Sequence, residues 1–149
     1  MINFNLTAQI YRPLKQVFTF VATPENDFQW QYGTLASTQI SKGEIGVGTL
    51  FHTIGHFTGW RIETICEVTE FEVDRRYGFK SVSGPVDSHT LYTFEMTRGC
   101  TKINLFSETN PRDLIKTNYV LFEKKFKKQY RENLAILKSV LEAHQIAST

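Results

Sequence analysis

The chain has 149 residues, of which 41% are apolar and 21% charged. That length fits one domain covering 1–149, and the composition excludes a disordered or collagen-like chain. Seventeen basic against fifteen acidic residues leave +2, too even a balance to imply nucleic acid or an acidic surface as partner.

Residues 2–10 alternate strictly, with Ile2, Phe4, Leu6, Ala8 and Ile10 apolar and Asn3, Asn5, Thr7 and Gln9 polar. A period of two predicts a strand with one wet face. Pro13 opens a short helix over 13–22, with Val17, Phe18, Phe20 and Val21 on its apolar side. Thr23-Pro24-Glu25 repeats the start signal, with Thr23 as N-cap, and predicts a second short helix that carries Phe28 and Trp30 and closes at Gly33.

A long β region follows. Strands are predicted over Leu35–Ser41, 49–57 and 60–71, separated by Gly-rich punctuation at Lys42-Gly43-Glu44, Gly46-Val47-Gly48 and Gly59. Trp60, Ile62, Thr64, Cys66 and Val68 share one face of the third of these, with Ile65 out of phase. Tyr77, Phe79 and Ser81 share the next inner face; Tyr92, Phe94 and Met96 the one after; Ile103, Leu105 and Ser107 the last. Short turns between strands at this spacing indicate an antiparallel meander.

The period then changes. Asn110-Pro111-x-Asp113 starts a helix, because Asn caps, Pro suits the first position and Asp suits the positive end of the dipole. Ile115, Tyr119, Phe122, Phe126, Tyr130, Leu134, Leu137 and Leu141 follow at spacings of three or four, one stripe of a helix about 40 Å long. The fold class is therefore α+β, and a sheet covered on its apolar face by that helix is the economical packing.

Several segments carry a family resemblance. Tyr11-Arg12-Pro13-x-x-x-Val17-Phe18 and Thr23-Pro24-Glu25-Asn26 running to Trp30 resemble the opening of the polyketide cyclase/dehydrase-like proteins. These belong to the START-like, birch-pollen-allergen-like superfamily, also called SRPBCC. Gly46-Val47-Gly48-Thr49-Leu50-Phe51 is similar to the family's glycine turn and next strand, and Glu67-Val68-Thr69-Glu70-Phe71-Glu72 to a strand end. Tyr92-x-Phe94-Glu95 and Gly99-Cys100-Thr101-Lys102 resemble its last hairpin, with Cys100 where glycine is common. The resemblance covers essentially the whole chain. It implies a helix-grip fold: a curved antiparallel sheet wrapped around the long C-terminal helix, with two short helices after the first strand. It also implies a cavity for apolar small molecules between helix and sheet. It does not imply a reaction, since the family's motifs specify the scaffold.

The residues themselves offer little reactive chemistry. His52 and His56 have i, i+4 spacing, but on a strand four residues span about 13 Å, too far to share a zinc with bonds of ~2.0–2.1 Å. No metal site and no cofactor is expected. Which face of 49–57 points inward stays open: His52 lines the cavity on one register, and Phe51 and Phe57 on the other. Glu63, Glu67, Glu70 and Glu72 read as a wet sheet face, and Lys124, Lys125, Lys127, Lys128 and Arg131 as the outer side of the long helix. There is no G-x-S-x-G and no Gly-rich phosphate loop. Two cysteines, Cys66 and Cys100, are too few for a disulfide framework. Nor does a basic stretch followed by an apolar one open the chain. A reduced, cytoplasmic protein without a membrane span, monomeric or homodimeric, is expected.

Aromatic residues make up 13%, including twelve Phe, and must either pack one core or line a cavity. The candidate ligand contacts are the polar groups on apolar inner faces, Thr64, Ser81, Tyr92 and Ser107, with their neighbours Ile62, Phe79, Phe94 and Leu105. Tyr119, Phe122 and Phe126 join them from the helix stripe, His52 from the open register, and Trp30 and Trp60 at the ends. A buried hydroxyl needs a partner, and either another core group or a ligand supplies it. The expected function is binding or carriage of an apolar or aromatic small molecule. A cyclase/dehydrase-type enzyme using Tyr92, Tyr119 or His52 as acid–base group, and a protein-interaction module with a collapsed cavity, are the alternatives.

Overall fold

The computed structural model describes residues 2–57, 59–110 and 119–147, with side chains of the last helix described up to 143. Its elements are β1 (Ile2–Ile10), α1 (Leu14–Val21), a 3-10 helix (Pro24–Gln29), β2 (Thr34–Gln39), β3 (Leu50–Phe57), β4 (Trp60–Glu72), β5 (Arg76–Ser83), β6 (Asp87–Thr97), β7 (Cys100–Asn110) and α2 (Tyr119–Ala147). The seven strands form one sheet in the order β1-β7-β6-β5-β4-β3-β2, and every pair is antiparallel. This is the helix-grip architecture, a curved sheet with a long C-terminal helix against its inner face. The expected start of α2 at Pro111-x-Asp113 and the stripe position Ile115 lie outside the described residues.

The curvature has a local cause. β4 pairs with β5 through register shifts between Ile65 and Cys66 and between Val68 and Glu70. An extra residue on one strand bends it and increases its twist. Ile65 lies opposite His52 on the outer face of β4 and does not interrupt the inner set Ile62, Thr64 and Cys66.

Inner faces follow the period-two pattern most closely in β7, where Thr101, Ile103, Leu105, Ser107 and Thr109 are all buried. β1 presents Ile2, Phe4 and Ile10 as buried residues. Met96 does not continue the buried Tyr92–Phe94 face: it is 68% exposed at the end of β6. The segment after Pro24 is a 3-10 helix, and Thr23 occupies its N-cap position without capping it. The Thr23 hydroxyl instead donates to the Thr19 carbonyl at 2.7 Å.

α2 grips the sheet with two unlike halves. Leu134, Leu137 and Leu141 are buried and close one end of the layer with Val17, Phe18 and Phe94. Towards its start, Phe126 and Tyr130 meet Phe4 edge-on, with ring centroids 6.0 and 5.1 Å apart. The C-terminal half is also tied to the end of β1. Lys138 Nζ donates to the Gln9 carbonyl and to Glu142 Oε2, both at 2.7 Å, and Glu142 accepts the Tyr11 backbone N–H at 3.0 Å.

Candidate functional site: a cavity between sheet and helix

The aliphatic half of α2 packs into the core, whereas the aromatic half and the sheet do not close completely. The space left between them is a cavity of about 190 Å³. Phe51 and Phe79, with ring centroids 5.2 Å apart, and Tyr92 supply its wall from the sheet. Phe126 and Tyr130 supply it from the helix. A smaller space of about 130 Å³ continues it past Phe57 and Phe122, whose rings lie 4.9 Å apart. An outer groove begins at Tyr32, Gly33 and His56 and runs to Lys125 and Lys128.

Polar groups interrupt this aromatic lining. Thr53, Thr64, Ser88 and Thr109 reach it from four strands, Gln31 from the segment after the 3-10 helix and Gln129 from α2. Asp27 is the one ionisable carboxyl among the described lining residues. It is 7% exposed. Burial pushes its pKa well above the usual carboxylate range; the Ser37 hydroxyl bond pulls the other way, and the like charge of Glu25 adds to the rise. Burial likewise raises the phenols of Tyr77 and Tyr92, pushes Tyr130 up to about 12 and the Cys66 thiol up to about 12. Asp27 adds to each of these four shifts, and Cys66, Tyr92 and Tyr130 line the same cavity as Asp27.

The expected contacts distribute unevenly. Ile62, Thr64, Phe79, Tyr92 and Phe126 meet in the cavity, and Phe122 lines its continuation. Trp30 is buried behind Tyr92, with rings 6.1 Å apart. Phe94 and Leu105 belong to the packed core, Phe94 against Phe18 at 5.2 Å. Ser107 is fully buried and lies 3.4 Å from the Thr109 hydroxyl; Thr109 is the member of that pair that lines the cavity. The Ser81 hydroxyl donates to the Val86 carbonyl at 3.0 Å and accepts the Ser88 N–H at 2.9 Å, so it builds the β5–β6 loop.

Three expectations are corrected. Phe51 and Phe57 are the inward register of β3, which turns His52 to the outer face, 3.9 Å from Glu63. Trp60 is 45% exposed at the start of β4, and its cross-strand partner Phe57 is the one that meets α2. Tyr119 is 39% exposed at the first described turn of α2. Among the described residues no cluster of His, Cys, Asp or Glu is arranged to hold a metal. Both cysteines are buried and free.

Asp27 is not among the candidates read from the sequence, whereas Trp30 is, yet the spacing of the segment carries a signal for both. Pro24, Asp27 and Trp30 recur every third residue and are all buried. A 3-10 helix has three residues per turn, so that spacing puts them on one face.

A family model described as polyketide cyclase / dehydrase and lipid transport matches residues 1–142. The chain belongs to that family. Solved structures with the same fold include a protein from Thermus thermophilus, at 16% identity and TM-score 0.74 over 99% of both chains. Ara h 8.0201 is similar at 10% identity and TM-score 0.70, over 95% of this chain and 97% of that one. The di-domain ARO/CYC StfQ from the steffimycin biosynthetic pathway is similar at 17% identity and TM-score 0.72, over 95% of this chain and 45% of that one. No curated protein sequence matches significantly. Within the polyketide cyclase/dehydrase and lipid transport family, then, these similarities establish the fold, and function turns on the cavity lining of this chain. No described helix is long and apolar enough to cross a membrane.

Proposed function

We propose that this protein binds a small apolar, ring-containing molecule in the cavity between the sheet and α2. The observation that carries the reading is the combination of about 190 Å³ of space with an aromatic wall and a few fixed polar groups. A cavity of ~150 Å³ lined by apolar side chains already takes up benzene, so a one- or two-ring compound fits here. Apolar burial supplies the affinity, and the polar groups set orientation.

An enzyme of the cyclase/dehydrase kind is the second reading. It is favoured by one observation, a buried carboxyl in a cavity that the Tyr92 and Tyr130 phenols also line. Of the acid–base candidates read from the sequence, only Tyr92 lies there; His52 faces outward and Tyr119 is at the surface.

Titration with a neutral, environment-sensitive naphthylamine dye tests the binding reading. Saturable binding of about one dye per chain to the native protein is expected. A micromolar constant corresponds to about −8 kcal/mol. Dye uptake only as the chain unfolds would refute it. Native mass spectrometry of freshly purified protein would show any ligand retained in the cavity.

A further inference from the structure

The inner end of the cavity is built unlike the rest. Asp27 projects from a buried face of the 3-10 helix, flanked on that face by Pro24 and Trp30. Its carboxyl is held by the Ser37 hydroxyl, which lies 3.1 Å from Thr53 Oγ1. Ser37 is itself buried, so the carboxyl and this neighbour are both shielded from water. The 3-10 helix is anchored by its own turn: the Asp27 carbonyl accepts the backbone N–H groups of Trp30 and Gln31 at 3.2 and 2.8 Å.

Such a group is costly in an apolar core without a task. The charge acting on it is that of Glu25, of like sign, so the site does not favour a carboxylate. A protonated carboxylic acid is different. It is a strong donor with one acceptor oxygen left over. The phenols of Tyr92 and Tyr130 line the same aromatic cavity and are likewise uncharged O–H groups.

We propose that Asp27 is a ligand-reading residue that donates a hydrogen bond to an acceptor oxygen of an otherwise apolar ring compound, so the cavity prefers ligands carrying such an oxygen over hydrocarbons and cations. This rests on the binding reading above. A ligand oxygen at the inner end would exchange one water contact for a buried, geometrically fixed donor. An amine would have to be stripped of water beside a carboxyl that Glu25 and burial already keep from ionising.

The test uses the intact protein and three matched probes: 2-acetylnaphthalene, 2-ethylnaphthalene and 1-(2-naphthyl)ethylamine, each displacing a bound naphthylamine dye. The ketone is expected to bind roughly tenfold tighter than the hydrocarbon, the discrimination a site with one buried donor supplies. The carbonyl stretch of bound, ¹³C-labelled 2-acetylnaphthalene should move to lower frequency than in a hydrocarbon solvent. Asp27→Asn keeps a donor and should retain most of the preference. Asp27→Leu should abolish it while still binding 2-ethylnaphthalene. Equal affinity for ketone and hydrocarbon, an unshifted carbonyl band, or tighter binding of the amine overturns the assignment but leaves the cavity reading intact. Failure of all three probes to displace dye, or absence of dye binding, overturns both. If Asp27→Leu does not fold, the wild-type probe series and the infrared shift decide the matter alone.

Discussion

The side-chain oxygen of Asn133, buried on α2, accepts the backbone N–H of Tyr32 at 2.8 Å across 101 residues of sequence. One helical turn earlier, Gln129 Nε2 donates to the carbonyl of the same residue. The two side chains clasp Tyr32 through its N–H and its carbonyl, and Tyr32 and Gln129 border the cavity. The segment after the 3-10 helix is thereby fastened to the helix at the cavity's rim.

That clasp separates stability from access. Asn133→Ala leaves a backbone N–H unpaired at a partly buried contact and is expected to destabilise by about 1–2 kcal/mol in denaturant melts. Gln129→Ala removes an exposed bond and should cost under about 1 kcal/mol. It should nevertheless speed dye release in stopped-flow measurements, because it loosens the rim without touching the inner wall. Equal release rates for wild type and Gln129→Ala would show that ligands enter elsewhere.

The two halves of α2 should respond differently to truncation. Leu137 is fully buried, so Leu137→Ala should cost about 2–5 kcal/mol. Phe126 is half-buried and faces the cavity. Phe126→Ala should therefore fall below the ~3–5 kcal/mol of a fully buried ring and should alter dye affinity, which Leu137→Ala should not do beyond its effect on the folded fraction. Matched melts and titrations check both.

Filling the cavity is a third test. Thr64 lines it, and Glu63 on the same strand lies outside beside His52 and Arg61. Thr64→Trp should weaken dye binding at least tenfold, and Glu63→Gln should leave it unchanged. Ser81→Phe is not an equivalent plug. It would break two loop hydrogen bonds and act on stability first.

The pH dependence of stability follows from Asp27. Its folded-state pKa is raised chiefly by burial, so the folded chain keeps the proton after the unfolded chain has lost it. Stability contributed by the protonated group is full below the unfolded value of about 3.9 and is lost as pH rises through the folded value. Asp27→Asn should remove that slope. Its stability relative to wild type should rise between about pH 4 and neutrality in urea melts taken across that range. The phenols and the Cys66 thiol are also raised, but they titrate in the alkaline range and do not confuse the comparison.

Local periodicity determined most of this fold. The alternation of Ile2 to Ile10, the turn residues between strands and the three-and-four spacing from Phe122 to Leu141 each record a local face, and the observed elements follow them. The aromatic excess also signalled a cavity or a ring-rich core. Tertiary structure decided which. His52 and Phe51 are adjacent and equally at home on a strand; pairing of β3 with β4, Phe51 opposite Cys66, chose the inward one. Ser81 and Thr64 alternate alike with apolar neighbours, yet one closes a loop and the other lines the cavity. Asp27 reads in the sequence as one more charge in a polar segment. It became the inner end of the site because a 3-10 turn, Ser37 on β2 and the curvature of the sheet close around it. Those are contacts between residues distant in sequence, and no local pattern encodes them.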